Sequence, residues 1–204
     1  MKKSVKTGLI ILAVFFGVLL ITAFGVYKYG KNSYNNMVVM DEAVIAQWAQ
    51  VENVYQRRLD LIPNLVNTVK GYASHEKETL EGVIEARAKA TQVTIDPSKL
   101  DAASLQNFQE SQSGLSSALG RLMVVMEQYP DLKANQNFRD LQAQLEGTEN
   151  RISVERGRFN DAARAYNSYI RLFPRNFIAN MFDFEKKAYF EADKAAAKAP
   201  EVKF

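Results

Sequence analysis

The chain has 204 residues, 47% apolar and 24% charged, with a formal net charge of +3. That length suits one domain with a sizeable core and is short for two. The small positive balance, mixed with carboxylates along the same segments, gives no basis for a nucleic-acid partner, and the lack of cysteine removes disulfides, thiolate nucleophiles and cysteine-based zinc sites.

The first element is an apolar run, GLIILAVFFGVLLITAFGV, from Gly8 to Val26, without a charge. It is about long enough to cross a ~30 Å hydrocarbon layer as a helix. Tyr27 and Tyr29 fall where an interfacial aromatic belt belongs, and Lys28 and Lys31 follow on the water side. Lipid contact is expected over residues 7–29. The run is long for a signal-peptide centre, and Thr22-Ala23-Phe24 is a poor cleavage site, so the reading is a retained anchor. Lys2, Lys3 and Lys6 precede it, which favours a cytoplasmic N-terminus and an extracytoplasmic body.

From Tyr34 onward, positions stepping by four and three carry mostly apolar residues: Tyr34, Val38, Asp41, Ile45, Trp48, Glu52, Tyr55, Leu59, Ile62, Val66 and so on to Arg87. Such a stripe predicts one long helix, on the order of 80 Å, packed in a left-handed bundle. Pro63 sits inside it without breaking its phase. The expectation is a kink in a helix that runs on through GYASHE, the segment ending at Glu76. TQVTIDPSKLD, residues 91–101, has loop chemistry, and Ser98 or Asp101 can cap a second helix from about Ala102 to Gln128. Pro130 marks a turn. A third helix is expected from Ala134 to about Phe173, where Pro174 stops it, and a shorter helical segment from Phe177 to about Ala197. The predicted class is all-α: a single N-terminal transmembrane helix, then an antiparallel bundle of three to four long helices. The expected divisions are an anchor over 1–30, a bundle over 31–197 and a frayed tail over 198–204.

His75-Glu76 invites comparison with a zinc protease. That pattern needs a second histidine four residues on, where this chain has Thr79, and no other histidine exists. One histidine also cannot supply the paired Glu-x-x-His motifs of a di-iron bundle. No catalytic, cofactor-binding or metal-binding residues are therefore assigned, and no cofactor is expected. Polar residues on or beside the apolar stripes need partners, because an unpaired buried group costs about 1–3 kcal/mol. Asp60, His75, Glu76, Arg87, Glu127, Glu149, Asn150, Arg156, Asn160 and Asn167 form the candidate structural polar network. Pro63, Pro130 and Pro174 are its kink and turn positions.

The order YNNMV, then a tryptophan, RRLDLIPNLVNTVKGYASHE, EAR, EQYPDLKANQNFRDLQAQLEGTENRI, RFN, YN and LFP resembles the LemA family of bacterial membrane-anchored proteins. The likeness covers nearly the whole chain. One departure is Phe159, where the family pattern has tyrosine. The resemblance implies an N-terminal anchor in the bacterial cytoplasmic membrane followed by an antiparallel helical bundle, and it brings no catalytic residues with it. The expected function is a non-enzymatic scaffold that self-assembles as a homo-oligomer or docks other membrane proteins, with Trp48 and Val66 as expected contact positions. The alternative is a carboxylate-based enzyme, or an accessory subunit of a membrane enzyme, acting through Glu76 or Glu149.

Overall fold

A computed structural model of the chain describes residues 2–191, with side chains from residue 8 onward other than that of Ile11. The described residues form helices α1 (Lys2–Lys70), α2 (Lys77–Gln92), α3 (Ala102–Met126), α4 (Pro130–Ala134), α5 (Gln136–Arg171) and α6 (Arg175–Met181). They contain no strand.

α1 passes from the apolar run into the body without a break, through Gly30 and through Pro63. At its N-terminal end it is long and apolar enough to cross a membrane. Pro63 lacks the N–H that would bond the carbonyl of Leu59 one turn earlier. Arg87 of α2 supplies the missing donor: its Nε donates to that carbonyl at 2.9 Å. Pro63 itself faces outward, so its ring meets no packed helix.

The expected single helix through Glu76 is corrected. α1 stops at Lys70, and Gly71 to Glu76 form the turn that leads into α2. The amides of Tyr72 and Ala73 both fold back onto the carbonyl of Val69. The apolar stripe survives this turn because Ala73, Leu80 and Val83 enter the same core as Leu65 and Val69.

α5 lies antiparallel against α1. Asn36 meets Tyr169, Gln47 meets Glu155 and Arg58 meets Glu149, one index falling as the other rises. α2 pairs closely with α3. Asp101 caps α3 by accepting from the Ser104 amide, and Asn135 caps α5 by accepting from the Phe138 amide. The core has two parts. Near the apolar end, Trp48 packs against Phe108, Phe159 and Phe190 with ring centroids 5.3, 5.7 and 6.0 Å away. Farther out, Leu59 to Ala73 pack with Leu80, Leu115, Leu122, Leu132 and Phe138. Trp48 and Val66 are buried in this monomer core, which removes them as contact positions for a second molecule.

The expected helical segment from Phe177 is also corrected. α6 ends at Met181, and Asp183 takes a left-handed φ of 56°. The Phe184 amide then bonds the Ala179 carbonyl at 3.0 Å, a Schellman closure with aspartate in the place usually held by glycine. Residues 184–191 continue as a strap outside any helix or turn. The part of the expected helix beyond 191, and the tail over 198–204, lie outside the described residues.

Candidate functional site

The two apolar clusters meet at a polar layer. Its centre is Arg58, 2% exposed, on α1. Its guanidinium donates to Gln112 of α3, to the Ser116 hydroxyl at 3.0 Å and to Glu149 of α5 at 2.8 Å. It also lies over the Tyr55 ring at 5.1 Å. One buried cation thus ties three helices. Its Nε has no acceptor. Glu149 reaches in from solvent, its side chain 58% exposed, so the pairing is screened at one end.

Beside this layer a cleft of about 540 Å³ opens among α1, α3, α5 and the end of the strap. α1 gives it Tyr55 and Arg58, α3 gives Gln109 and Ser113, α5 gives Arg156, and the strap gives Glu191. Burial raises the Tyr55 hydroxyl above its ordinary value, against the lowering pull of Arg156 and Arg58, so it stays protonated at neutral pH. The cleft can offer hydrogen bonds of both kinds and two guanidinium groups. It holds no histidine beside its serines. Among the described residues, no group of three or more His, Cys, Asp or Glu side chains is placed to hold a metal ion.

The strap is held by carboxamides. Asn167 donates to the Lys187 carbonyl at 2.8 Å and accepts from the Lys187 amide at 2.9 Å. Asn160 does the same to Phe190, at 3.0 and 2.8 Å. Asn160 and Asn167 are one heptad apart on α5, which spans about 10.5 Å along a helix. Three residues of extended chain, from Lys187 to Phe190, span about 10 Å. The two repeats match, so a helix presents two strand-like pairings to the strap. Arg156 adds a bond to the Glu191 carbonyl at 2.8 Å and sits 4.7 Å from the Phe190 ring. The Lys187 ammonium lies 2.8 Å from Asp41 of α1, a charge contact and not an aligned hydrogen bond.

The polar residues picked out from sequence are thus distributed over several places. Glu149, Arg156, Asn160 and Asn167 gather around the cleft and strap. Glu76 accepts from the Tyr129 hydroxyl at 2.7 Å at the far end, which raises that hydroxyl above its ordinary value. Arg87 serves the Leu59 carbonyl, Glu127 pairs with Lys133, and Asp60 accepts from Gln56 one turn earlier on α1. His75 and Asn150 are exposed, His75 on the turn before α2 and Asn150 on α5. Pro130 opens α4, and Pro174 precedes α6. Sequence reading missed Arg58, Gln112 and Gln109. A signal for Arg58 was present: Met37, Val44, Val51 and Leu65 are fully buried, and Arg58 completes their seven-residue series.

Comparison with known proteins adds relatives that align along most of this chain. The magnetosome protein MamQ 2 of Paramagnetospirillum magneticum is 28% identical over 184 residues, covering 82% of this chain and 67% of the relative. The protein LemA of Metamycoplasma hominis is 26% identical over 192 residues, covering 94% of this chain and 83% of the relative. MamQ of Magnetospirillum gryphiswaldense is 29% identical over 184 residues, with 82% and 67% covered. The LemA family profile matches residues 47–204, which takes in the polar layer, the cleft and the strap, and the chain belongs to the LemA family.

Proposed function

We propose that this protein is a single-pass, non-catalytic scaffold of the bacterial cytoplasmic membrane, with its helical body outside the cytoplasm. It self-assembles or docks other proteins at the bilayer. The observation that carries this reading is the continuity of α1, which is both the candidate span and the spine of the body. A rod of this kind fixes the height and direction of whatever binds the body. The polar network serves to register the helices, since most of its members bond to a neighbouring helix or to the strap. The names of the relatives agree, because they denote proteins and not reactions. The lysines ahead of the span support the orientation.

The cysteine-free chain makes the test direct. Val39, Val124 and Val154 are exposed apolar residues on α1, α3 and α5. Each is replaced singly by cysteine in the full-length protein, which is then oxidised in vesicles, and the mass in detergent is measured by light scattering. A discrete mass above the monomer, with cross-linking at one of these sites, is expected for self-assembly. Monomers throughout, without cross-links, would remove self-assembly and leave the docking of a different protein.

A further inference from the structure

We propose that the segment from Leu172 to Phe182, containing α6, is a second membrane contact, seated in the interfacial layer of the bilayer that α1 crosses. The proposal rests on the reading of α1 as a membrane span.

The first observation is exposure. Leu172, Phe173, Phe177, Met181 and Phe182 are all more than half exposed, and Phe173 reaches 79%. They lie on one short stretch of chain. Scattered single apolar residues on a surface are ordinary, but a contiguous group of large ones marks a contact surface.

The second observation is position. α6 packs beside α1, and between them runs a groove of about 800 Å³. One wall is Gly25, Val26, Tyr29 and Tyr34 of α1, and the other includes Phe177 and Met181 of α6. Phe182 packs edge-on against Tyr34, with centroids 4.8 Å apart. The charge-free stretch of α1 from Gly8 to Val26 covers about 28 Å at 1.5 Å per residue, close to the hydrocarbon thickness of a bilayer. Its end coincides with the lower wall of the groove. The headgroup layer adds about 5–8 Å on each side of the hydrocarbon, so the groove and the exposed rings of α6 lie at the depth where aromatic side chains partition.

The third observation is charge. Lys28 and Lys31 flank the groove on α1, and Arg171 and Arg175 flank the exposed rings. Arg175, the first residue of α6, lies over the Tyr169 ring of α5 at 4.1 Å, which ties the start of α6 to α5. Asp183 and Glu185 follow on the side leading to the strap. Cations level with exposed aromatic rings are the arrangement of an interfacial helix, which buries its apolar face about 5–10 Å into the headgroup boundary. A groove continuous with a lipid-facing helix end is filled by acyl chains without any further protein. Two contacts, one spanning and one lateral, also fix the tilt of the body, which a single span leaves free to rock.

The test uses full-length protein in vesicles of phosphatidylcholine and phosphatidylglycerol. A fluorophore is attached at a single introduced cysteine: Phe177→Cys on α6, Ile21→Cys in the span, or Val124→Cys on α3 far from the membrane exit. Quenchers are placed on the lipid, shallow or mid-chain, or in the water. The expected result is mid-chain quenching at 21, shallow quenching at 177 several-fold stronger than at 124, and aqueous quenching chiefly at 124. Lipid quenching at 21 together with aqueous quenching at 177 overturns the α6 proposal and leaves the anchor standing. A label at 177 shielded from both quenchers overturns it too, by showing that protein covers the patch. Absence of lipid quenching at 21 overturns the anchor itself.

Discussion

Pro63 and Arg87 show how one residue can make another permissible. The carbonyl of Leu59 is buried and has lost its helical donor to the proline ring. The Arg87 Nε at 2.9 Å takes the place of that amide, and the same bond pins α2 to α1. Replacing Arg87 by methionine leaves the carbonyl unpaired, at an expected cost of about 1–3 kcal/mol. In a chain that already carries Pro63→Ala, the alanine amide serves the carbonyl and the cost of Arg87→Met shrinks. The pair is expected to couple by about 1 kcal/mol in a double-mutant cycle. Trp48 is the only tryptophan and is fully buried, so its fluorescence in urea titrations reads all four proteins. Strict additivity of the two changes would mean that Arg87 does not stand in for the missing amide.

Among the elements, α3 and α5 were readable within a few residues, because their apolar repeats end at real stops: Asp101 before α3, and the segment closed by Pro174 after α5. The end of α1 was not readable. Leu80 and Val83 of α2 enter the same core as Leu65 and Val69 of α1, so the spacing of buried residues continues although the chain reverses at Gly71. Periodicity reports which residues face the core and not which way the chain runs. Asp41, Trp48, Tyr55, Ile62 and Val69 were placed on the correct stripe, but near the membrane end its alternate positions are Met37, Val44 and Val51 and not Val38, Ile45 and Glu52. That one-residue offset stepped past Arg58 to Leu59. The strap was illegible for a different reason. Its conformation is imposed by Asn160 and Asn167, which lie on another element, and nothing in its own residues requires extension. Asn167→Ala is therefore expected to speed hydrogen exchange at the Lys187 amide while leaving the amides of the distal core protected, and Asn160→Ala to do so at Phe190. Unchanged exchange at both amides would show that packing alone holds the strap. The cap of α3 gives a pH-dependent counterpart. Hydrogen bonds from Ser104 hold the Asp101 carboxyl below its ordinary 3.8. A lowered folded-state value means that its contribution is complete above that ordinary value and fades as pH falls through the lower, folded one. Asp101→Asn keeps an acceptor at the cap and removes the titration. The variant is expected to lose less stability than the parent between neutral pH and pH about 3, read as the shift in urea midpoint. Equal losses would place the acid sensitivity elsewhere.

At the scale of the whole molecule the question is whether the body moves with the membrane span or swings from it. Gly30 lies just past the apolar run, with open space around it, and glycine is the residue at which a helix most readily gives way. Against this, α1 continues through Gly30 as helix, and Asn36 already bonds to Tyr169 of α5. The stretch free of contact with the body is therefore short, and α6 narrows it further by packing beside residues 25–34. A hinge at Gly30 would have to open the groove beside α6 and separate Tyr34 from Phe182. The structure thus favours a stiff junction. Leu20 and Gln50 are both exposed, and a straight helix sets them about 45 Å apart. Spin labels at these two positions, in full-length protein in vesicles, are expected to give a narrow distance distribution centred there. The double change Phe177→Ser and Phe182→Ser is expected to broaden the distribution toward shorter distances if α6 braces the junction, with the Trp48 fluorescence of the body unchanged. A distribution already broad in the unaltered protein would show that the helix hinges between the bilayer and the bundle, and α1 would then act as a tether and not as a rod.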